Sequence, residues 1–550
     1  MKKIQRIAAL SLAGLLTCAA LPACVVPGSQ DLHKDKTHLN IKVFNGGFGF
    51  KWLQEVANNF METFKDVSFE EGKKGVHIAI TANKEFSGLH SNMAVGADAE
   101  DVYYTSDCNF WNFYDAGVAY DVTDIMTANV YDEDGFVTLN AEGNGWETQS
   151  KSIADRITSE HIAKRINIGT ADEPEYCSLP FDDTTAGIIV DWDLFKKEGW
   201  NNYNGLDGMP ATISEFYDLL GRIRKKGYSA FIFSTGVQYT RVINYAVIAQ
   251  VDGTEWYNDL YSDYTGSYDF NGDGMISEAE QITPSTAYKL YDTKGSKAAV
   301  EMALKMFEKN ASGKTFYDPA TATGVAFGVA QQDFIMSKET SQPIAMLLDG
   351  EWWENEARAT FDAMGEVSEE NAYGAREFRM MPIPAFTSTN ANQRYTLGAW
   401  TGGSSTIVNQ KTVGDNAAKQ KVVELWLQYQ YSAEGLKCFT RHSGATMPLQ
   451  YEMSDAELQE LTPFARNLFK LRRDPRVEVI YSGVSLQNEQ VRKSSRQVSF
   501  ITTLDANYTG TLFSIVLKLS TKNKMVSLEK YVEGMHKYQD QMFRDAYPDD

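Results

Sequence analysis

The sequence predicts an α/β fold assembled from more than one packed unit, and three observations carry that expectation. At 550 residues, 43% hydrophobic and 23% charged, the chain holds material for roughly two to four cores of ordinary domain size without a disulfide scaffold. Between Leu39 and Tyr104 the hydrophobic pattern switches from alternation to helical spacing and back, as layered sheet and helix require. The same switch recurs after Tyr176, so a second unit follows the same plan.

Leu39, Ile41 and Val43 alternate as a strand, and Gly46-Gly47-Phe48-Gly49 supplies the turn after it. Trp52, Leu53, Val56, Ala57, Phe60 and Phe64 then recur at helical spacing. Val76-His77-Ile78-Ala79-Ile80 is the next strand, a polar helix-like stretch runs to Gly96, and Asp101-Val102-Tyr103-Tyr104 is a third strand. After Tyr176, Cys177-Ser178-Leu179-Pro180 leads into the apolar Ala186-Gly187-Ile188-Ile189-Val190. Thr212-Ile213-Ser214-Glu215 is a capping box that opens a helix with Ile213, Phe216, Leu219, Leu220 and Ile223 inward and Gly227 as its stop. Ala230-Phe231-Ile232-Phe233 and Ile344-Ala345-Met346-Leu347-Leu348 are further strands, an amphipathic helix spans about 417–430, and more helices follow. Nothing recurs at a solenoid or propeller period of roughly 20–50 residues.

Lys+Arg 52 against Asp+Glu 73 gives a net charge of −21, which excludes a protein built to hold nucleic-acid phosphates. Lys2, Lys3 and Arg6 precede an uncharged apolar run from Ile7 to Ala23, the order of a secretory signal. The run ends Leu21-Pro22-Ala23-Cys24, which resembles the lipobox of bacterial lipoproteins and implies cleavage after residue 23 and lipid on Cys24. Leu15-Leu16-Thr17-Cys18 is a weaker version of the same pattern, and a single membrane anchor is the competing reading, short for a bilayer core of about 30 Å. Residues 25–37 have the polar composition of a tether. Cys108, Cys177 and Cys438 are widely spaced with no CxxC, and read as buried small hydrophobes with room for one disulfide.

The order of pieces resembles a known family. Val43-Phe44-Asn45-Gly46-Gly47-Phe48-Gly49, the helix ending Phe60-Met61-Glu62, Leu179-Pro180-Phe181-Asp182-Asp183-Thr184-Thr185-Ala186-Gly187-Ile188 and Asp193-Leu194-Phe195-Lys196-Lys197-Glu198-Gly199 before Pro210-Ala211-Thr212 resemble extracellular solute-binding proteins of the maltose-binding type. So do Asp349-Gly350-Glu351-Trp352-Trp353 and Ser432-Ala433-Glu434-Gly435-Leu436 before Gly444-Ala445-Thr446-Met447-Pro448. The resemblance implies a two-lobed periplasmic-binding-protein-like (type II) fold, a hinge and an interlobe ligand cleft. Lobe 1 is then expected at 38–178 with a return at about 345–395, lobe 2 at 182–340, and its completion at 396–550. It also implies a monomer on the extracytoplasmic face of the cell membrane that presents a sugar to the permease of an ABC importer.

Asp269-Phe270-Asn271-Gly272-Asp273-Gly274-Met275-Ile276-Ser277-Glu278-Ala279-Glu280 is the sharpest local motif. Oxygen donors fall at positions 1, 3, 5, 9 and 12 of an EF-hand loop, with glycine at 6 and a backbone carbonyl at 7. Asp269, Asn271, Asp273, Met275 (through its carbonyl), Ser277 and Glu280 are thus expected to hold one structural Ca2+. An acidic surface turn is the alternative.

Ten Trp, 28 Tyr and 29 Phe provide ample ring surface for stacking on sugar C–H faces, while carboxylates and amides can fix hydroxyls. Asn45, Asp107, Trp111, Asp182, Asp183, Tyr239, Glu351, Trp352, Trp353 and Trp400 fall in segments that the resemblance makes cleft-facing, with Asp107 and one of Trp352 and Trp353 foremost. Neighbours on an extended segment point opposite ways, so one of those two tryptophans faces the ligand. The loops lack a cationic clamp for phosphate or dicarboxylate, which favours a neutral mono- or oligosaccharide. Gly313-Lys314-Thr315 ends like a P-loop, but Glu308 stands where its first glycine belongs; no Gly-x-Ser-x-Gly or His-Glu-x-x-His occurs. The reading is therefore of a binding protein, not an enzyme. Two alternatives stay open: a surface glycoside hydrolase using two of Asp182, Asp183 and Glu351, and a sensory or adhesive sugar-binding lipoprotein without an importer.

Overall fold

A computed structural model describes residues 33–105, 109–181, 183–236, 239–386, 395–400, 404–482, 504–505 and 507–547, except for the side chains of Trp256, Asn258 and Trp400. Residues 1–32, with Cys24 and the segments read as leader and tether, lie outside the described residues, as do Asp107, Cys108 and Asp182.

The chain begins with β1 (Thr37–Phe44), α1 (Lys51–Thr63), β2 (Val76–Asn83), β3 (Val102–Thr105), α2 (Phe110–Asp115) and β4 (Leu179–Pro180). There follow β5 (Thr185–Asp191), α3 (Ile213–Lys226), β6 (Ser229–Ile232), α4 (Thr240–Asp252), β7 (Ile344–Gly350), β8 (Phe378–Met381) and β9 (Tyr395–Trp400). The last stretch contributes β10 (Ser405–Val408), α5 (Ala417–Gln430), α6 (Ala433–Ser443), β11 (Val477–Ser482), α7 (Leu512–Thr521) and α8 (Leu528–Ala546). Two compact units result. Unit 1 takes residues up to Asp183, Glu354–Ala359 and Thr401–Thr462; unit 2 takes Thr184–Trp353, Thr360–Trp400 and Pro463–Asp550.

Unit 1 carries a five-stranded sheet in the order β2-β1-β3-β10-β4. β1, β2 and β3 are parallel and β10 runs against β3 and β4, so the ends of β3 and β4 lie beside the start of β10. The alternation read in β1 is real: Leu39, Ile41 and Val43 are fully buried. Trp52 of α1 meets Tyr104 and Phe439 edge-on, with ring centroids at 5.6 and 5.1 Å, and so ties α1, β3 and α6 together. Such pairs contribute about 0.5–1.5 kcal/mol each beyond burial.

Unit 2 is built on a sheet in the order β11-β9-β5-β7-β6, with β8 beside β5. β5 and β7 are buried at every position, as expected of strands covered on both faces. Thr212 caps α3, accepting from Glu215 N–H at 3.2 Å, but the box read there is not closed, because the Glu215 carboxylate accepts from Ala211 N–H at 2.6 Å; Gly227 ends the helix at φ +87°. Gly398 of β9 lets α4 approach closely, since a Cβ there would stand 2.2 Å from the Val242 carbonyl oxygen.

Two expected boundaries are corrected. Residues 345–395 do not return to the first lobe, because β7 pairs with β5 and β6, and β8 with β5; only Glu354–Ala359 belongs to unit 1. Nor does 396–550 as a whole complete the second lobe. β10 enters the first sheet and α5 packs on β1, so Thr401–Thr462 is part of unit 1.

Candidate functional site

Strand direction gathers the candidate residues. In unit 2, β6, β7, β9 and β11 are mutually parallel and β5 opposes them, so their carboxyl ends and the start of β5 share one edge. Tyr239, Glu351, Trp352 and Trp400 all follow or end strands at that edge, where parallel sheets ordinarily bind ligands. In unit 1 the corresponding edge carries Asn45 after β1 and Trp111 after β3. The chain also leaves and re-enters unit 1 there, after β4 and before β10.

Trp352 and Tyr239 form an aromatic pair, with centroids 4.9 Å apart and planes at 71°. The indole lies over Gly350, where a Cβ would come within 2.3 Å of its ring carbons. Glycine at the end of β7 therefore sets the place of this ring. Trp353 goes the other way and is not a ligand platform. It is fully buried among Phe334, Phe361, Phe378 and Phe464, with centroids 4.9–5.7 Å away.

Glu351 is a structural clamp. Its Oε2 accepts from Thr185 N–H at 2.9 Å, from Thr185 Oγ–H at 2.7 Å and from Arg472 Nη1 at 3.3 Å, all in the interior of unit 2. The carboxylate thereby fixes the start of β5 against the end of β7. Asp183 is buried and accepts from Thr446 Oγ1 at 3.3 Å. Asn45 is half-buried, and its N–H donates to the Asn83 carbonyl at 2.7 Å. Asn109 caps α2 by accepting from Trp111 N–H at 3.1 Å, which places Trp111 in the first turn; Tyr114 stands edge-on to it at 5.5 Å and is 46% exposed. Tyr114 and Arg472 were missed by the sequence reading. Helical i,i+3 spacing from Trp111 could have found Tyr114, whereas no local signal marks Arg472.

In the loop 269–280 the ligand-type side chains face the loop's own amides. Asp269 accepts from the N–H groups of Gly272 and Gly274 at 2.7 and 2.9 Å, Asn271 from Asp273 at 2.8 Å, and Asp273 from Met275 at 2.8 Å. Glu280 accepts from Phe270 N–H at 3.0 Å and from Ser277 N–H and Oγ–H at 2.9 and 2.7 Å. The Ser277 bonds hold its carboxyl below the usual range. Antiparallel bridging of Ser267 with Gln281 closes the base of the loop. The carboxylates are not drawn to one point. Among the described residues only Glu55, Cys438 and His442 bring three metal-ligating groups within 4.8 Å of one another.

Cys177 and Cys438 are buried and free. A cavity of about 390 Å³ in unit 1, lined by residues including Trp146, Asn140, Asn144 and Gln428, lies beyond the end of α1 and so away from the edge that bears Asn45.

Two α/β units connected by several chain crossings, with aromatic residues at strand ends, define a solute-binding architecture. Residues 50–437 match the model of the bacterial extracellular solute-binding proteins, and the chain belongs to that family. Among solved structures, apo RafE from Streptococcus pneumoniae is similar at a TM-score of 0.54 and 14% identity, covering 92% of this chain and 98% of that one. RafE in complex with raffinose gives 0.50 and 13% over 92% and 100%. A chitin oligosaccharide binding protein gives 0.52 and 14% over 92% and 99%. No curated protein matches the chain. Members of this family and these neighbours are solute-binding proteins, not enzymes, and the family is extracellular. No helix among the described residues is long and apolar enough to cross a membrane.

Proposed function

We propose that this protein binds a neutral mono- or oligosaccharide and delivers it to the permease of an ABC importer, held to the outer face of the cell membrane by lipid on Cys24. The observation that carries the sugar reading is the Trp352–Tyr239 pair at the strand-end edge of unit 2. Two rings set at a steep angle give a pyranose one face to stack on and a second wall. Trp111 with Tyr114 offers a like pair at the corresponding edge of unit 1. Family membership and neighbours named for raffinose and chitin oligosaccharide support the same ligand class. Binding is the whole of the chemistry, and no bond of the ligand is broken. A thermal-shift screen with raffinose, chito-oligosaccharides and other neutral sugars tests this. An intact sugar that raises the melting temperature supports it. Hydrolysis of the sugar would establish a glycosidase instead, and silence across the panel would remove the carbohydrate reading.

The loop 269–280 is proposed to bind one Ca2+ through Asp269, Asn271, Asp273, Ser277, Glu280 and the Met275 carbonyl. Loading turns the carboxylates from the loop's amides onto the ion, for which EF-hand spacing is suited. Equilibrium dialysis should find one bound Ca2+ in the wild type and none in Glu280→Gln.

A further inference from the structure

We infer that Glu55, Cys438 and His442 form a transition-metal site, suited to Zn2+, that clips α1 to α6 within unit 1. Their ligand atoms all lie within 4.8 Å of one another. Cys438 and His442 are four residues apart in α6, so both project from one helix face, and Glu55 comes from α1, which packs on it. His442 Nε2 stands 2.7 Å from Glu55 Oε2, and the Cys438 thiol, 3% exposed, donates to the Trp52 carbonyl at 3.5 Å.

An ordinary surface ion pair explains part of this arrangement. Glu55 also pairs with Arg441 at 3.0 Å, and Glu, Arg and His would hold together without help. The thiol is what such a pair does not require. One sulfur, one imidazole nitrogen and one carboxylate oxygen make the mixed soft and hard donor set of zinc, whereas Ca2+ and Mg2+ take oxygen alone. Three protein ligands leave the fourth tetrahedral position to water. Glu55 and His442 are 40% and 30% exposed on their side chains, so the ion has a way in. Coordination by sulfur takes the place of the thiol proton, which is released on binding.

Cobalt reports the sulfur ligand directly. The intact chain, stripped with chelator, should take up one Co2+ with a near-ultraviolet sulfur-to-metal charge-transfer band that Zn2+ bleaches. The oxygen-only loop 269–280 gives no such band. Cys438→Ser should abolish it, and Cys177→Ser should keep it. Glu55→Gln, at an exposed position that folding tolerates, should weaken Co2+ binding by roughly tenfold or more. A wild type without the band, a band that survives Cys438→Ser, or unchanged affinity in both Glu55→Gln and His442→Ala would each overturn the site.

Discussion

Replacing Glu354 by glutamine should change how stability depends on pH. Glu354 is 3% exposed, and among the described residues its Oε1 has no hydrogen-bond partner while its Oε2 accepts from Thr462 Oγ1. Burial raises its pKa from 4.5 to about 7, against the smaller opposing effects of Thr462 and the charge of Arg358. Between those two values the folded state holds a proton that the unfolded state has released, so stability falls as pH rises. The contribution is fully present below pH 4.5 and lost once pH passes about 7. At 1.36 kcal/mol per pKa unit, a rise from 4.5 to about 7 corresponds to about 3 kcal/mol. The Glu354→Gln variant keeps the shape of the side chain and never ionises. The melting-temperature difference between variant and wild type, at roughly 2–4 °C per kcal/mol, should then grow by about 6 °C or more between pH 5 and pH 8. A constant offset over that range would refute the reasoning, because it would mean that the buried carboxyl does not titrate there.

The remaining predictions concern the ring pair, its neighbour, the loop and the anchor. Trp352→Ala should weaken sugar binding by about 1–2 kcal/mol, roughly tenfold, in titration calorimetry, and Gly350→Ala should weaken it too by displacing the indole. Trp353→Ala should instead lower stability by about 3–5 kcal/mol, read in denaturant unfolding. Adding Ca2+ back to chelator-stripped protein should raise the melting temperature of the wild type but not of Glu280→Gln. Cys24→Ala should shift the protein from the membrane fraction to the medium, followed by immunoblot.

What was legible in the sequence was local. The alternation of Leu39, Ile41 and Val43, the cap of Thr212 on Glu215 and the stop at Gly227 each depend on residues within a turn or a strand of one another, and each is found as read. The loop 269–280 likewise turns at Gly274, with φ +80° there. The assignment of segments to units was not legible, because it depends on which strand β10 meets. Ile407 pairs with Tyr103 and Ser405 with Thr105, partners far away in sequence and marked by no pattern. The same limit hid the role of Glu351, whose partners Thr185 and Arg472 lie 166 and 121 residues away.

Those partners also define what Glu351 does at this edge. A glycosidase needs one carboxyl to hand a proton to the leaving oxygen and another to act on the opposite side of the sugar ring. Glu351 Oε2 faces three donors of the protein itself, two from Thr185 and one from Arg472, in the interior of unit 2. Such an oxygen is an acceptor fixed in place, with its work directed at β5 and β7. Glu351→Gln separates the two roles. An amide could keep its carbonyl oxygen on Thr185 but would remove the negative charge that the buried Arg472 meets, which costs about 1–3 kcal/mol of stability. As a clamp, Glu351 should therefore show its loss in the melting temperature, with sugar left intact by wild type and variant alike. Sugar cleaved by the wild type and spared by the variant would make Glu351 a catalytic group and overturn the clamp.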